Sequence, residues 1–343
     1  VSEQLGVALI GAGNSGGHYH LPHLLNHPGF RLRTVATRSG TVGPELPDAV
    51  TVVSDWRSAI SDPSIDLVVV ALPHDLHHPV ALAALDAGRH VLVEKPITVT
   101  GDEARELEAA ANRSGVVLAA HHQRRFEADF VALTEVVRSG ELGEIWRIVV
   151  TRSHQGRYRE STPTRPHVGS ASLGWAHARA SGGGIARVIA PHSVDQLLTL
   201  ADDGVDRVSG RAHLDPVDDV EDWVAIDIDF ASGITGTVEA FRRSRIAPAR
   251  FTVYGSAGTA VATDGTELRI TTDDGDRVID GLEPPGTMGR EIYDDLFAAV
   301  TRGAPLRASL ADAIRVVDVI EAAETSFRGA NSWVSASSGG GSH

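Results

Sequence analysis

The chain has no cysteine among its 343 residues. Disulfides, a thiolate nucleophile and a zinc–thiolate centre are therefore excluded, and any chemistry must use other groups. No apolar run approaches the roughly 18 residues that a membrane-spanning helix needs. Around Val1–Gln4 the sequence is short of both apolar and basic residues, so no secretory signal is expected there and the expected location is cytoplasmic. Positive charge is scarce: Lys plus Arg number 31 against 45 Asp plus Glu, a net charge of −14. Such a mean field repels phosphate backbones and anionic lipid, so nucleic acid and membrane are not expected partners and a small molecule is. Lysine is nearly absent. Lys95 is the one lysine, every other basic residue being arginine.

What is present is ordinary globular composition, 42% hydrophobic and 22% charged, in a chain long enough for two cores. From Val7 to Ala120 short β-branched runs alternate with helical patterns, the signature of parallel strands with crossover helices. Strands are expected at Val7–Ile10, Arg31–Ala36, Thr51–Val53, Leu67–Leu72, His90–Val93 and Val116–Ala119. Helices are expected at Leu76–Ala87 and Asp102–Ser114, stopped by Gly88 and Gly115, with Thr100 and Glu103 as a capping box. After Ala120 the pattern predicts a helix at Phe126–Ser139, a strand at Ile145–Thr151 and an irregular stretch from Ser153 to Gly184. Val224, Ile226, Ile228 and Phe230 then alternate with polar or small residues, as in a strand with one packed face. Short strands follow at Thr235–Ala240, Arg250–Tyr254, Thr259–Ala262 and Glu267–Ile270, and helices Met288–Thr301 and Leu310–Phe327 are expected to close the second domain. The expected fold is α/β: a doubly wound parallel Rossmann sheet over residues 1–121, then an α+β domain on a mixed or antiparallel open sheet over residues 122–334. Residues 335–343, ending in Gly339-Gly340-Gly341-Ser342-His343, are expected to be a flexible tail.

Gly11-Ala12-Gly13-Asn14-Ser15-Gly16 follows the first strand and opens a helical pattern, which is the context that makes G-x-G-x-x-G informative. Gly11 permits the tight turn, Gly13 admits a pyrophosphate close to the backbone, and Gly16 lets helix and strand pack. The second strand ends in Thr37-Arg38-Ser39, where a carboxylate for an NAD ribose would stand. An arginine between hydroxyl residues suits a 2′-phosphate, so NADP(H) is expected in preference to NAD(H). Lys95 lies in Glu94-Lys95-Pro96 just after the fifth strand, at the edge where doubly wound sheets bind ligands. Unlike arginine, it can lose its proton when buried.

These motifs, with Leu72-Pro73-His74-Asp75-Leu76-His77 and with Gly182-Gly183-Gly184 followed by His192 and Asp195, resemble the glucose-fructose oxidoreductase/inositol dehydrogenase family, Gfo/Idh/MocA. Gln123-Arg124-Arg125-Phe126 and Gly156-Arg157-Tyr158-Arg159 are most similar to its NADP-using scyllo-inositol dehydrogenase branch. The resemblance implies that Leu72, Pro73, His74, His77, Glu94, Lys95 and Pro96 adjoin the cofactor and that the Lys95–Pro96 bond is cis. It implies hydride transfer between a secondary alcohol of a cyclic polyol, sugar or glycoside and the nicotinamide. His192 would take the hydroxyl proton and Lys95 would stabilise the oxyanion. Family members carry an Asp four residues before the histidine; here that position is Val188, next to an unusual Arg187. Asp195 is the expected substitute, with Glu160 after it. Tyr158, Arg159, Arg125, Trp175 and His177 are further expected substrate contacts. Two alternatives share the cofactor site: glycoside cleavage or epimerisation through transient oxidation, and a catalytically weak nucleotide or sugar sensor.

Sixteen histidines raise the question of a metal, but the runs His18/His20/His23, His74/His77/His78 and His121/His122 lack a paired carboxylate at a recognised spacing, and no metal is expected. His18, His20 and His23 are expected on a helix surface or at the site entrance, and one of His121 and His122 in the pocket with the other in solvent. A homodimer or homotetramer is expected through the open face of the second sheet.

Overall fold

The computed structural model of the chain describes residues 4–40, 42, 46–155, 171–214, 220–244, 246–285, 289–329 and 332–335. The first six strands, β1 (Leu5–Ile10), β2 (Phe30–Ala36), β3 (Thr51–Val53), β4 (Leu67–Val70), β5 (His90–Val93) and β6 (Leu118–Ala120), form one parallel sheet in the order β3-β2-β1-β4-β5-β6. Its strands are buried on both faces because their side chains alternate between two apolar layers. Ala8, Ile10, Val68, Val70, Val91 and Val93 enter one layer; Val7, Leu9, Leu67, Val69 and Leu92 enter the other. The order reverses between β1 and β4, which leaves a crevice at the carboxyl ends of these strands.

Helices α1 (Leu21–Asn26), α2 (Trp56–Ser61), α3 (His77–Asp86) and α4 (Gly101–Ser114) connect the strands. Thr100 and Glu103 form the expected capping box on α4, and Gly115 ends it in the left-handed conformation.

The second sheet has nine strands: β7 (Ile145–Gln155), β8 (Val205–Leu214), β9 (Glu221–Phe230), β10 (Thr235–Ser244), β11 (Phe251–Gly255), β12 (Gly258–Ala262), β13 (Leu268–Thr272), β14 (Gly275–Ile279) and β15 (Val334–Ser335). Their order is β14-β13-β12-β11-β7-β10-β9-β8-β15, mixed because β7 pairs parallel with β10 and antiparallel with β11. Val224, Ile226, Ile228 and Phe230 all point into the core, as their alternation predicted. Helices α5 (Ala128–Arg138), α6 (Ile185–Val188) and α7 (Ala190–Ala201) cover that face.

The two closing helices, α8 (Arg290–Arg302) and α9 (Leu310–Arg328), depart from expectation. Neither belongs to the second domain alone. Ile292, Tyr293 and Leu296 of α8 pack on the first sheet with Val7, Leu9 and Leu24. Helix α9 is shared: Ala313, Ile314 and Val317 enter the first domain's core, and Val316, Val319, Ile320 and Ala323 enter the second's. An α-helix with apolar residues on more than one face must be buried on more than one face.

Candidate active site

The glycine turn is tight for a steric reason. Gly11 has a φ of +96°, and a Cβ there would stand 2.2 Å from the Ala71 carbonyl oxygen; at Gly16 it would stand 1.9 Å from that of Gly11. Neither position admits a side chain. Gly13 and Asn14 are exposed, leaving the crest of the turn open. At the end of β2 the hydroxyls of Thr37 and Ser39 lie 3.3 Å apart, with Arg38 exposed between them.

A buried carboxylate links this turn to the lysine. Glu94 Oε1 accepts from Ser15 Oγ at 2.6 Å, His20 Nε2 at 3.0 Å and His121 Nδ1 at 3.1 Å, and Oε2 accepts from the Lys95 amide at 3.1 Å. Burial alone would raise the Glu94 carboxyl, but His121 and His20 hold it well below its usual range. His20 Nδ1 lies 2.6 Å from Tyr293 Oη; burial lowers the basicity of His20, and the neutral ring with its proton on Nε2 toward Glu94 accepts from the tyrosine hydroxyl at Nδ1. His20 is thus a core residue rather than one on a helix surface or at the site entrance as expected; it ends the π-helical turn Gly16–His20 and is fully buried. Among the described residues, His20, Glu94 and His121 are the group whose donor atoms gather within 4.8 Å, close enough to share an ion.

Lys95 is joined to Pro96 by a cis bond, as expected, and its Nζ donates to the Val188 carbonyl at 2.8 Å. Burial brings its ammonium down to about 8, opposed by Glu94 and assisted by Arg124 and Arg152. The contact spans the two domains and ends on the backbone of the residue that stands in the aspartate's place. His192, on α7, is 5% exposed and its Nδ1 has no hydrogen-bond partner among the described residues. Burial, then the charges of Lys95, Arg124 and Arg152, hold its imidazole well below its ordinary value. His122 faces it with ring centroids 6.4 Å apart, and neither of its nitrogens has a hydrogen-bond partner. Both His121 and His122 are 1% exposed, so neither is the solvated residue expected.

Unpartnered buried polar atoms are costly and each calls for an explanation. Most of those among the described residues fall in one place: His122, Gln123, Arg124, Arg152, His192 and Ser193. Together with the open glycine turn they mark the candidate site.

Comparison with known proteins identifies the family. Residues 5–122 match the family model described as "Oxidoreductase family, NAD-binding Rossmann fold", and residues 130–261 match the GFO/IDH/MocA C-terminal domain. The chain is 36% identical over 265 residues to the uncharacterized oxidoreductase YdgJ of Escherichia coli (strain K12), covering 76% of this chain and 72% of that one. The chain belongs to the Gfo/Idh/MocA family. Another relative is the scyllo-inositol 2-dehydrogenase (NADP(+)) IolW of Bacillus subtilis (strain 168), 28% identical over 299 residues, with 85% and 74% covered. The solved structure of a levoglucosan dehydrogenase in complex with NADH and levoglucosan superposes with a TM-score of 0.78 at 26% identity, covering 98% of this chain and all of that one. The protein is therefore an NAD(P)-dependent oxidoreductase of the Gfo/Idh/MocA type.

Other residues expected at the Gfo/Idh/MocA site are placed as follows. His74 Nδ1 bonds the Gly182 carbonyl at 2.7 Å, and its ring meets the edge of Trp175 with centroids 4.5 Å apart. The His77 ring nitrogens lie 2.8 Å from the Pro96 carbonyl and 2.9 Å from that of Leu72, joining the ends of β4 and β5. His177 Nδ1 lies 3.1 Å from Arg242. Asp195 is turned away from His192: its carboxylate accepts three bonds from Arg125 at 2.7–3.1 Å. Arg125 also donates to Asp312 and to the Arg307 carbonyl, so this pair knits the short turn Gln123–Phe126 after β6 to α7 and α9. Arg187 pairs with Glu324 of α9 at 2.6–2.7 Å. Tyr158, Arg159, Glu160 and the preceding Gly156 and Arg157 lie outside the described residues. Sequence reasoning singled out neither Arg124 as a site residue nor Arg152, Glu127 or Gln196 at all. Arg124 and Glu127 pair locally, three residues apart, but Arg152 and Gln196 reach them from distant segments, and no local spacing signals that.

Proposed function

We propose that the protein is a cytoplasmic dehydrogenase that moves a hydride between a secondary alcohol of a cyclic polyol, sugar or glycoside and NADP(H). The observation that carries this reading is the meeting of Lys95 Nζ with the Val188 carbonyl beside His192, where the two domains join at the carboxyl edge of the first sheet. Relatives named for scyllo-inositol and levoglucosan support the substrate class. The preference for NADP(H) rests on Thr37, Arg38 and Ser39 and on the missing carboxylate at the end of β2.

Gly11, Gly13, Asn14, Ser15 and Gly16 would hold the pyrophosphate, and Pro73, His74, His77, Glu94 and Pro96 would flank the nicotinamide end. Hydride acceptance is the chemistry a bound nicotinamide supplies. The proton is the protein's task. With its ammonium at about 8, Lys95 can take or return the hydroxyl proton near neutral pH. His192 is held neutral and so serves as a hydrogen-bond partner to the same oxygen. This exchanges the two roles expected from the resemblance. Because Lys95 rests on a carbonyl where relatives would offer a carboxylate, the transient-oxidation reading is kept as the second one.

One assay separates the readings: nicotinamide absorbance and product analysis with NADP or NAD against inositols, sugars and glycosides. Net NADP reduction with a ring polyol or sugar supports the dehydrogenase, and product without net reduction supports the second reading. The assembly proposed with this function is a homodimer or homotetramer through the second sheet, whose Trp146, 52% exposed, stacks near Tyr254. Light scattering on the purified protein measures it.

A further inference from the structure

The wall of the site that faces His192 is built from arginines with too few carboxylates. Arg124 Nη1 donates to Glu127 Oε1 and Arg250 Nη2 to Glu127 Oε2, both at 2.5 Å, and Arg152 Nη2 lies 3.5 Å from that same Oε2. Arg250 also takes Asp129 at 2.5 Å. Three guanidinium groups thus share two carboxylates. The other buried carboxylate nearby, Asp195, is spent on Arg125, and Glu94 is held by His20, His121 and Ser15. Among the described residues this cluster thus holds one guanidinium more than it holds carboxylates, while the neighbouring Arg125 meets two, Asp195 and Asp312.

The two arginines nearest the reacting groups also have free donors. Arg124 Nε and Arg152 Nε are buried and make no hydrogen bond among the described residues, and a guanidinium N–H can only donate. Gln196, one helical turn after His192 on α7, fixes both residues: its Nε2 donates to the Arg124 carbonyl at 3.0 Å, and its Oε1 accepts from Arg152 at 3.3 Å. The charges of both guanidinium groups reach His192 and Lys95. Burial lowers Arg152 only to about 9, so it is cationic at neutral pH. Buried cationic donors left unspent are costly unless a ligand completes them.

We propose that Arg124 and Arg152 form an anion subsite beside His192, and that the substrate is a sugar or polyol bearing a carboxylate. The planar edge of a guanidinium, Nε with Nη, matches a carboxylate in bidentate fashion. A protein of net charge −14 gains such a pocket only by concentrating cations locally. The inference rests on the dehydrogenase reading for where the sugar ring lies, and the test keeps the two apart.

The experiment is calorimetric titration of the NADP-saturated protein with D-glucuronate and D-galacturonate, each beside its neutral parent, D-glucose or D-galactose. The expected result is affinity for an acid at least about tenfold above that for its parent. In Arg152→Gln and Arg124→Gln the acid-to-neutral ratio falls toward one, and Arg152→Lys restores part of it. Equal affinity, or none for either acid, overturns the proposal in the wild-type protein alone, whatever the variants do. Glucose 6-phosphate bound in preference to both acids overturns the carboxylate assignment. Nicotinamide reduction is read in the same samples. Acid binding without turnover upholds the subsite while removing the dehydrogenase reading, and turnover of neutral sugars with no acid preference does the reverse.

Discussion

Lys95 acts through its environment rather than its type. Its side chain is buried between Glu94, which favours the charged form, and Arg124 and Arg152, which oppose it, and burial outweighs the carboxylate so that the amine titrates near 8. If Lys95 is the proton acceptor, oxidation needs the neutral amine and reduction needs the ammonium. The kcat/KM for alcohol oxidation should therefore rise with pH through a limb near 8, and that for reduction should fall through the same limb. Lys95→Ala should cost about 10²- to 10⁴-fold in turnover and abolish the limb, with the Kd for NADP within a few-fold of wild type. An unchanged limb in that variant would assign the proton to another group. The aspartate missing at position 188 bears on the same residue, since a carbonyl stabilises the ammonium less than a carboxylate does.

At the scale of elements, the glycine turn was the most legible feature of the sequence because its cause is local. Gly11 and Gly16 are required by backbone atoms within a few residues or on the neighbouring strand exit, and the strand–turn pattern announces both. Gly16→Ala would drive a methyl group to 1.9 Å from the Gly11 carbonyl, so the turn must open. The expected result is loss of NADP affinity by about tenfold or more, with a far-UV spectrum close to wild type, measured by titration of cofactor fluorescence. The six parallel strands, the capping box of α4 and the packed face of β9 were legible for the same reason: hydrophobic period and capping chemistry act over a few residues. What escaped has non-local causes. β8 carries Asp206, Arg207 and Arg211 on its outward positions and is held mainly by pairing with β9, so it shows little apolar alternation. His20 is buried at the end of a π-helical turn, whose period differs from the 3.6 that a sequence pattern is read against. The arginine wall assembles residues 124, 152 and 250 around Glu127, an arrangement that exists only once the second sheet has formed.

At the scale of the whole molecule, α9 decides whether the site is one object or two halves. Its residues Ala313, Ile314 and Val317 are buried in the first domain's core, and Val316, Val319 and Ile320 in the second's, so neither core is complete without the same helix. Its Asp312 and Glu324 reach Arg125 and Arg187 on the site side, and Lys95 touches α6 across the junction. A helix shared in this way couples the two domains, because withdrawing it exposes apolar surface in both. Ile320 is 3% exposed and lies wholly in the second core, where truncation to alanine should cost about 2–5 kcal/mol. With coupled domains that loss is felt everywhere. The slowest-exchanging amides of β1 and β5 should lose protection by the same free energy as those of β9 and β10, although Ile320 does not line the first core. Native-state hydrogen exchange on wild type and Ile320→Ala measures both sets at once. Loss confined to β9 and β10 would mean that the domains open independently, and the Lys95–Val188 contact would then be a meeting of two separable bodies.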